Sequence, residues 1–184
     1  MSPHQKLPIA PELQVTQWLN SKEPITLKSL RGKVVVIEAF QMLCPGCVSH
    51  GLPQAQKIAS LFPPDKVTVM GLHTVFEHHE PMTPVSLKAF IHEYRLKFPI
   101  GVDEPGAGGM PNTMAAYQMR GTPSLIMIDQ KGFLRVNLIG HVHDILVGAK
   151  IATLLAEADS LKLQDKREDN DGGDENGCPV PDNV

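Results

Sequence analysis

A chain of 184 residues, 42% of them apolar, is long enough for one domain with a core of its own, because at that size folding buries well over half of the unfolded surface. Its 17 basic and 20 acidic residues give a formal charge of −3, which excludes the basic footprint of a nucleic-acid binder. No apolar run approaches the ~18 residues needed to cross a bilayer, and three cysteines are too few for a secreted disulfide framework.

The elements follow in chain order. Met1 to Leu13 contains Pro3, Pro8 and Pro11 and lacks the basic start and apolar stretch of a secretory signal, so the cytoplasm is the expected compartment. Lys33 to Phe40 is a β-branched apolar run, the pattern of a central strand buried on both faces. It leads into a helix from Cys44 that stops at Pro63-Pro64. Val67 to Leu72 reads as a second apolar strand. Thr83 is placed to cap a helix opening at Pro84 and running to Tyr94, with Leu87, Phe90, Ile91 and Tyr94 on one face. Phe98 to Val102 is a short strand, followed by the glycine-rich Glu104 to Gly109 loop and a short helix from Asn112 to Gln118. Ser124 to Asp129 and Phe133 to Ile139 form a hairpin across a Gln-Lys-Gly turn, and a helix from Asp144 to about Leu161 closes the domain. This alternation makes an α/β protein with a mixed central sheet flanked by helices.

Residues 162–184 carry seven acids and three bases and few apolar groups. The expected division is therefore a domain over residues 1–161 and an acidic, disordered tail over 162–184.

The chemistry is expected at Cys44-Pro45-Gly46-Cys47. A strand ends and a helix begins there, so Cys44 takes the N-cap and Pro45 the first helical position, where a missing N–H matters least. Unpaired N–H groups and the positive end of the helix dipole favour a thiolate on Cys44. Cys47, one turn inside, is the resolving thiol of a two-electron dithiol/disulfide carrier that needs no other cofactor. A structural zinc site would need a second ligand pair, and Cys178, in the polar tail, has no neighbouring Cys or His.

With these residues the sequence resembles the thioredoxin superfamily, in particular the TlpA/ResA-type redoxins, over roughly residues 9 to 160. Leu27 to Phe40 is similar to the family's approach to the active site, and Gly121-Thr122-Pro123 to its cis-proline loop. The resemblance implies a thioredoxin-like fold and makes Thr122 and Pro123, with Pro45 and Gly46, the substrate platform. It also makes Glu38, six residues before Cys44, a buried carboxylate of raised pKa that exchanges protons with Cys47. The implied partners are a protein disulfide or small thiol as substrate and a thioredoxin or NADPH-linked reductant.

Three positions depart from the family pattern. Gln41-Met42-Leu43 stands where a tryptophan usually precedes the first cysteine. Gly71 stands where a strand lysine would fall, and the helix proline, Pro53, comes one residue late. Together with the helical insert from Val75 to Phe98, they describe a redoxin with a narrower task than a general thioredoxin.

Other groups read more plainly. His73, His78, His79 and Glu80, and His141 with His143, lack the spacing of a metal site, so no metal is expected. His50 is a surface helix residue within reach of the thiols. The loop at Gly106 to Gly109 lacks the Lys-Ser/Thr of a phosphate loop. Two alternatives stand beside the thiol–disulfide oxidoreductase. One is a peroxiredoxin-like peroxidase, whose Pro-x-x-x-Thr-x-x-Cys context is not found around either cysteine; the other is a non-enzymatic binding module that keeps the fold and uses the acidic tail.

Overall fold

The computed structural model describes residues 7–171. Six strands, β1 (Val15–Leu19), β2 (Val34–Phe40), β3 (Val67–His73), β4 (Ile100–Asp103), β5 (Ser124–Ile128) and β6 (Leu134–Ile139), form one sheet in the order β1-β4-β3-β2-β5-β6. The helices are α1 (Leu52–Leu61), α2 (Pro84–Glu93), α3 (Asn112–Ala116) and α4 (Asp144–Asp171).

All seven residues of β2 are buried, as its β-branched sequence demands. It runs parallel to β3, from Val34 opposite Val67 to Phe40 opposite His73, and antiparallel to β5. Alternate side chains feed two cores. Val34, Val36 and Phe40 pack with Leu52, Ala55 and Ile58 of α1, Leu87 and Ile91 of α2, and Val147 and Ile151 of α4. Val35, Ile37 and Ala39 pack on the other face with Met70, Leu72, Met114 and Ile126. With ~25 cal/mol stabilising each Å² of apolar surface removed from water, this double burial anchors the strand that carries the active site.

The sequence pattern underestimates the fold in two places. β1 is an edge strand, antiparallel to β4, with every residue half-buried or exposed, so its polar Thr16 and Gln17 hide it from a search for apolar runs. Helix α4 continues past Leu161 to Asp171, because Lys162 to Glu168 are mostly good helix formers and no glycine or proline intervenes before Gly172. The expected tail from residue 172 onward, with Cys178, lies outside the described residues. Thr83 caps α2 as expected, accepting a hydrogen bond from the Ser86 N–H at 3.4 Å.

Asp103 connects the sheet to the active-site side of the molecule. At the end of β4 and nearly inaccessible, it accepts hydrogen bonds from the N–H groups of Thr113 (2.9 Å) and Met114 (3.1 Å), the first turn of α3. Thr113 Oγ1 completes the joint by accepting from Gln14 N–H and donating to Gln14 O. Helix α3 leads directly into the loop that carries Pro123. Replacing Asp103 by alanine should lower stability by about 1–2 kcal/mol, as loss of a side-chain cap does, read as a fall in the urea midpoint without a change in slope.

Candidate active site

Strand β2 ends beneath Gln41, and Cys44 follows after one tight turn in which the Cys44 N–H donates to Gln41 O at 3.2 Å. The helix then starts at Pro45, so Cys44 occupies the N-cap position. The Cys47 N–H donates to Cys44 Sγ at 3.2 Å and the Val48 N–H to Cys44 O at 3.1 Å. Cys44 and Cys47 are joined as a disulfide with Cα atoms 5.3 Å apart. Cys44 is half-buried and Cys47 is fully buried. An incoming thiolate therefore reaches Cys44 first. On reduction, the backbone donor and the helix terminus stabilise negative charge on that same sulfur.

The loop before β5 faces the disulfide. The Thr122-Pro123 peptide is cis, and Thr122 O lies 3.5 Å from Cys44 Sγ. Pro123 is held from behind, its carbonyl accepting from Gly140 N–H at 2.8 Å. Gly46 lies against the ring, since a Cβ there would be 3.3 Å from Pro123 Cδ.

Glu38 lies under this assembly. It is 2% exposed, and burial pushes its carboxyl up to about 8. Oε1 has no hydrogen-bond partner among the described residues, and the carboxyl lies against Gly51 of the active-site helix, which Pro123 also adjoins. No cation compensates from β3: Gly71 is opposite Glu38, and the aromatic rings of Phe40 and Phe98 close over it. Glu38, the Cys44–Cys47 pair, Gly46 and Pro123 thus come together at one end of the sheet, with Pro45 exposed at the helix start and Thr122 half-buried beside Cys44.

Two residues of this neighbourhood escape the sequence reading. Gln41 is 2% exposed and clamps the loop after β3, accepting from Phe76 N–H at 3.3 Å and donating to Glu77 Oε1 at 3.4 Å. Its partners are 35 and 36 residues away, so no local signal announces them. Gly51 ends a π-turn, Cys47–Gly51, in which the Leu52 N–H reaches back to Cys47 O. A π-turn takes up one extra residue, which accounts for Pro53 falling one place late.

The histidines separate. His73 is 1% exposed on β3, pushed down to about 4 by burial and tilted against the Phe40 ring at 5.3 Å. His78 and His79 are exposed on a loop. His50 and His141 rings meet at 4.8 Å beside a cleft of about 370 Å³ that also contains His143 and the Lys57–Asp144 ion pair. Among the described residues, no three His, Cys, Asp or Glu side chains are arranged to hold a metal ion. No described helix is long and apolar enough to cross a membrane.

The model of the AhpC/TSA family matches residues 8–137. The chain belongs to the AhpC/TSA family. Within it, this redoxin is of the TlpA/ResA type and has the thioredoxin-like fold. It is similar to the solved thioredoxin-like superfamily protein SPOA0173, with 69% identity and a TM-score of 0.79 over 80% of this chain and 96% of that one. It is also similar to a thiol-disulfide isomerase from Corynebacterium glutamicum, with 50% identity and a TM-score of 0.78 over 82% of this chain and 97% of the other. Protein DipZ of Mycobacterium tuberculosis is 31% identical over 129 residues, which is 68% of this chain but only 18% of DipZ. The redoxin thus spans less than a fifth of that relative's length. Its Cys-x-x-Cys disulfide is at the helix start, and the curated relatives it matches include the thiol-disulfide oxidoreductase ResA of Halalkalibacterium halodurans, 28% identical over 60% of this chain and 56% of that protein.

Burial of Glu38 has a consequence for stability. The carboxyl titrates near 4.5 when unfolded and near 8 when folded, so between these values the folded state holds the extra proton. This contribution is therefore largest below about pH 4.5 and is lost as pH rises towards 8. Oxidised Glu38→Gln should lose less stability than the parent between pH 5 and pH 8 in urea unfolding; equal losses would show that Glu38 is not buried as a neutral acid.

Proposed function

We propose that this redoxin exchanges disulfides with protein substrates, with Cys44 as the exchanging sulfur, Cys47 as the resolving thiol and Glu38 as the proton carrier between redox states. The observation that carries the reading is the asymmetry of the pair: Cys44 is half-buried, N-capping a helix beside the Thr122 carbonyl, and Cys47 is wholly enclosed.

In the reducing direction, the Cys44 thiolate attacks one sulfur of a substrate disulfide, forming a mixed disulfide and releasing the first substrate thiolate. Cys47 then loses its proton to the Glu38 carboxylate and attacks Cys44 Sγ, so the second substrate thiolate leaves and the Cys44–Cys47 bond forms. Two electrons pass to the substrate. In reverse, an incoming thiolate opens the bond at Cys44 and expels Cys47 as a thiolate, which takes its proton from neutral Glu38. A carboxyl poised near 8 exchanges protons in both directions close to neutral pH. Thr122, Pro123, Pro45 and Gly46 form the surface on which the substrate chain is read.

We assign the protein, on the same footing, to the cytoplasm and to cellular redox homeostasis, with a thioredoxin or NADPH-linked system as its reductant. Its small cysteine count supports a thiol-reducing compartment. The peroxidase reading is disfavoured at Gln41. That residue stands three positions before Cys44, where a peroxidase needs a hydroxyl, and its amide is engaged with Phe76 and Glu77.

Cys47→Ser should accumulate mixed disulfides with a protein disulfide substrate on non-reducing gels, and Cys44→Ser should form none. A Cys47→Ser protein that turns over normally would sink the mechanism. The potential of the couple sets the direction: a value near ~−270 mV makes it a reductant and one near ~−120 mV an oxidant.

A further inference from the structure

Gly51 has φ −58° and ψ −56°, ordinary helical angles that any residue adopts. Backbone freedom therefore does not explain a glycine here. Space does: a Cβ on residue 51 would collide with Glu38 Oε1, stand 2.9 Å from Glu38 Cδ and come within 3.2 Å of Pro123 Cβ. The carboxyl belongs to the fully buried β2, and over Gly71 on the neighbouring strand Phe40, Phe98 and Ile100 fill the space a side chain would take.

The π-turn brings this position into place. It begins at Cys47 and ends at Gly51, so the turn that contains the resolving sulfur is also the turn that lies on the carboxyl. Each helical residue advances about 100° around the axis, so an extra residue changes which position faces the strand. The extra residue in the Cys47–Gly51 turn puts a residue with no side chain over Glu38.

We propose that Gly51 is a positioning residue for proton exchange at the dithiol: its missing side chain leaves the Glu38 carboxyl, with Oε1 unpartnered, its place against the turn that begins at Cys47. This rests on the reading of Glu38 as proton carrier. Gly51 does not take part in the exchange itself; it acts by leaving room for the carboxyl against the turn that begins at Cys47.

The test is stopped-flow reduction of 5,5′-dithiobis(2-nitrobenzoate) by the reduced protein. Attack by Cys44 releases one thionitrobenzoate and leaves the other as a mixed disulfide; attack by Cys47 releases the second and closes the Cys44–Cys47 bond. Glu38→Gln should slow the second phase about 100-fold near neutral pH and leave the first phase close to that of the parent. Gly51→Ala should slow the same phase roughly tenfold or more and shift the midpoint of its pH profile. Glu38→Asp/Gly51→Ala, in which the shorter carboxylate makes room for the methyl, should recover most of the rate and be more stable to urea than Gly51→Ala alone.

Normal second-phase kinetics in Gly51→Ala, with Glu38→Gln slowed, would overturn the proposal while leaving Glu38 as the proton carrier. Lost stability with an unmoved pH midpoint would assign Gly51 to packing alone and overturn it too. A normal Glu38→Gln would remove the proton-carrier reading and this inference with it. If Gly51→Ala does not fold, the double variant decides: failure to restore folding overturns the steric argument.

Discussion

Glu38 sits in the middle of a strand whose other six residues are all apolar, and an ionised carboxylate without a partner in such surroundings would cost several kcal/mol. The neutral form avoids that cost, and much of the active site follows from keeping it enclosed. β2 must be covered on both faces. The Cys47–Gly51 turn of the active-site helix must lie on the carboxyl, with Pro123 close by. A residue without a side chain must be on that turn at the point of contact. The same enclosure that makes the acid neutral sets it against the helical turn that begins at Cys47.

The disulfide is organised by a different force. Cys44 takes the N-cap, where the first backbone N–H groups of a helix have no internal acceptor, and one of them points at its sulfur. Pro45 and Gly46 add no charge, so the activation of Cys44 comes from backbone geometry. Their contribution is steric and conformational: proline fits the first helical turn, and glycine leaves room for the Pro123 ring. The two sulfurs thus meet different environments, one at a polar helix end and one in a closed apolar core, which fits the exchanging and resolving roles proposed for them.

What could be read in the sequence was what depends on local pattern. The β-branched run of β2, the Thr83 cap, the hairpin across Gln-Lys-Gly and the dithiol at a strand-to-helix junction all carry their signals within a few residues. β1 did not, because an edge strand needs no uniform apolar face. The clamp made by Gln41 depends on a loop 35 residues away, and a glutamine looks the same whether its amide is in solvent or buried. The π-turn has no periodicity of its own. Its one trace in the sequence was the displaced Pro53, a departure from the family whose cause becomes visible only when the helix is wound. The extent of α4 was underestimated because acidic composition outweighed good helix propensity in the reading.

Behind the disulfide, one face of the sheet carries Glu38 and Phe40 on β2, with Gly71 and His73 beside them on β3. Burial keeps Glu38 uncharged below about 8 and His73 uncharged above about 4, and Gly71 supplies no cation. Around pH 6 this floor beneath the sulfurs is therefore without formal charge, and as pH rises towards 8 Glu38 begins to ionise. At Cys44 the Cys47 N–H and the helix terminus supply backbone dipoles to a newly formed thiolate. A thiolate formed on Cys44 is thus met by the dipoles of the helix end, while the buried groups behind it change charge only towards the edges of the neutral range.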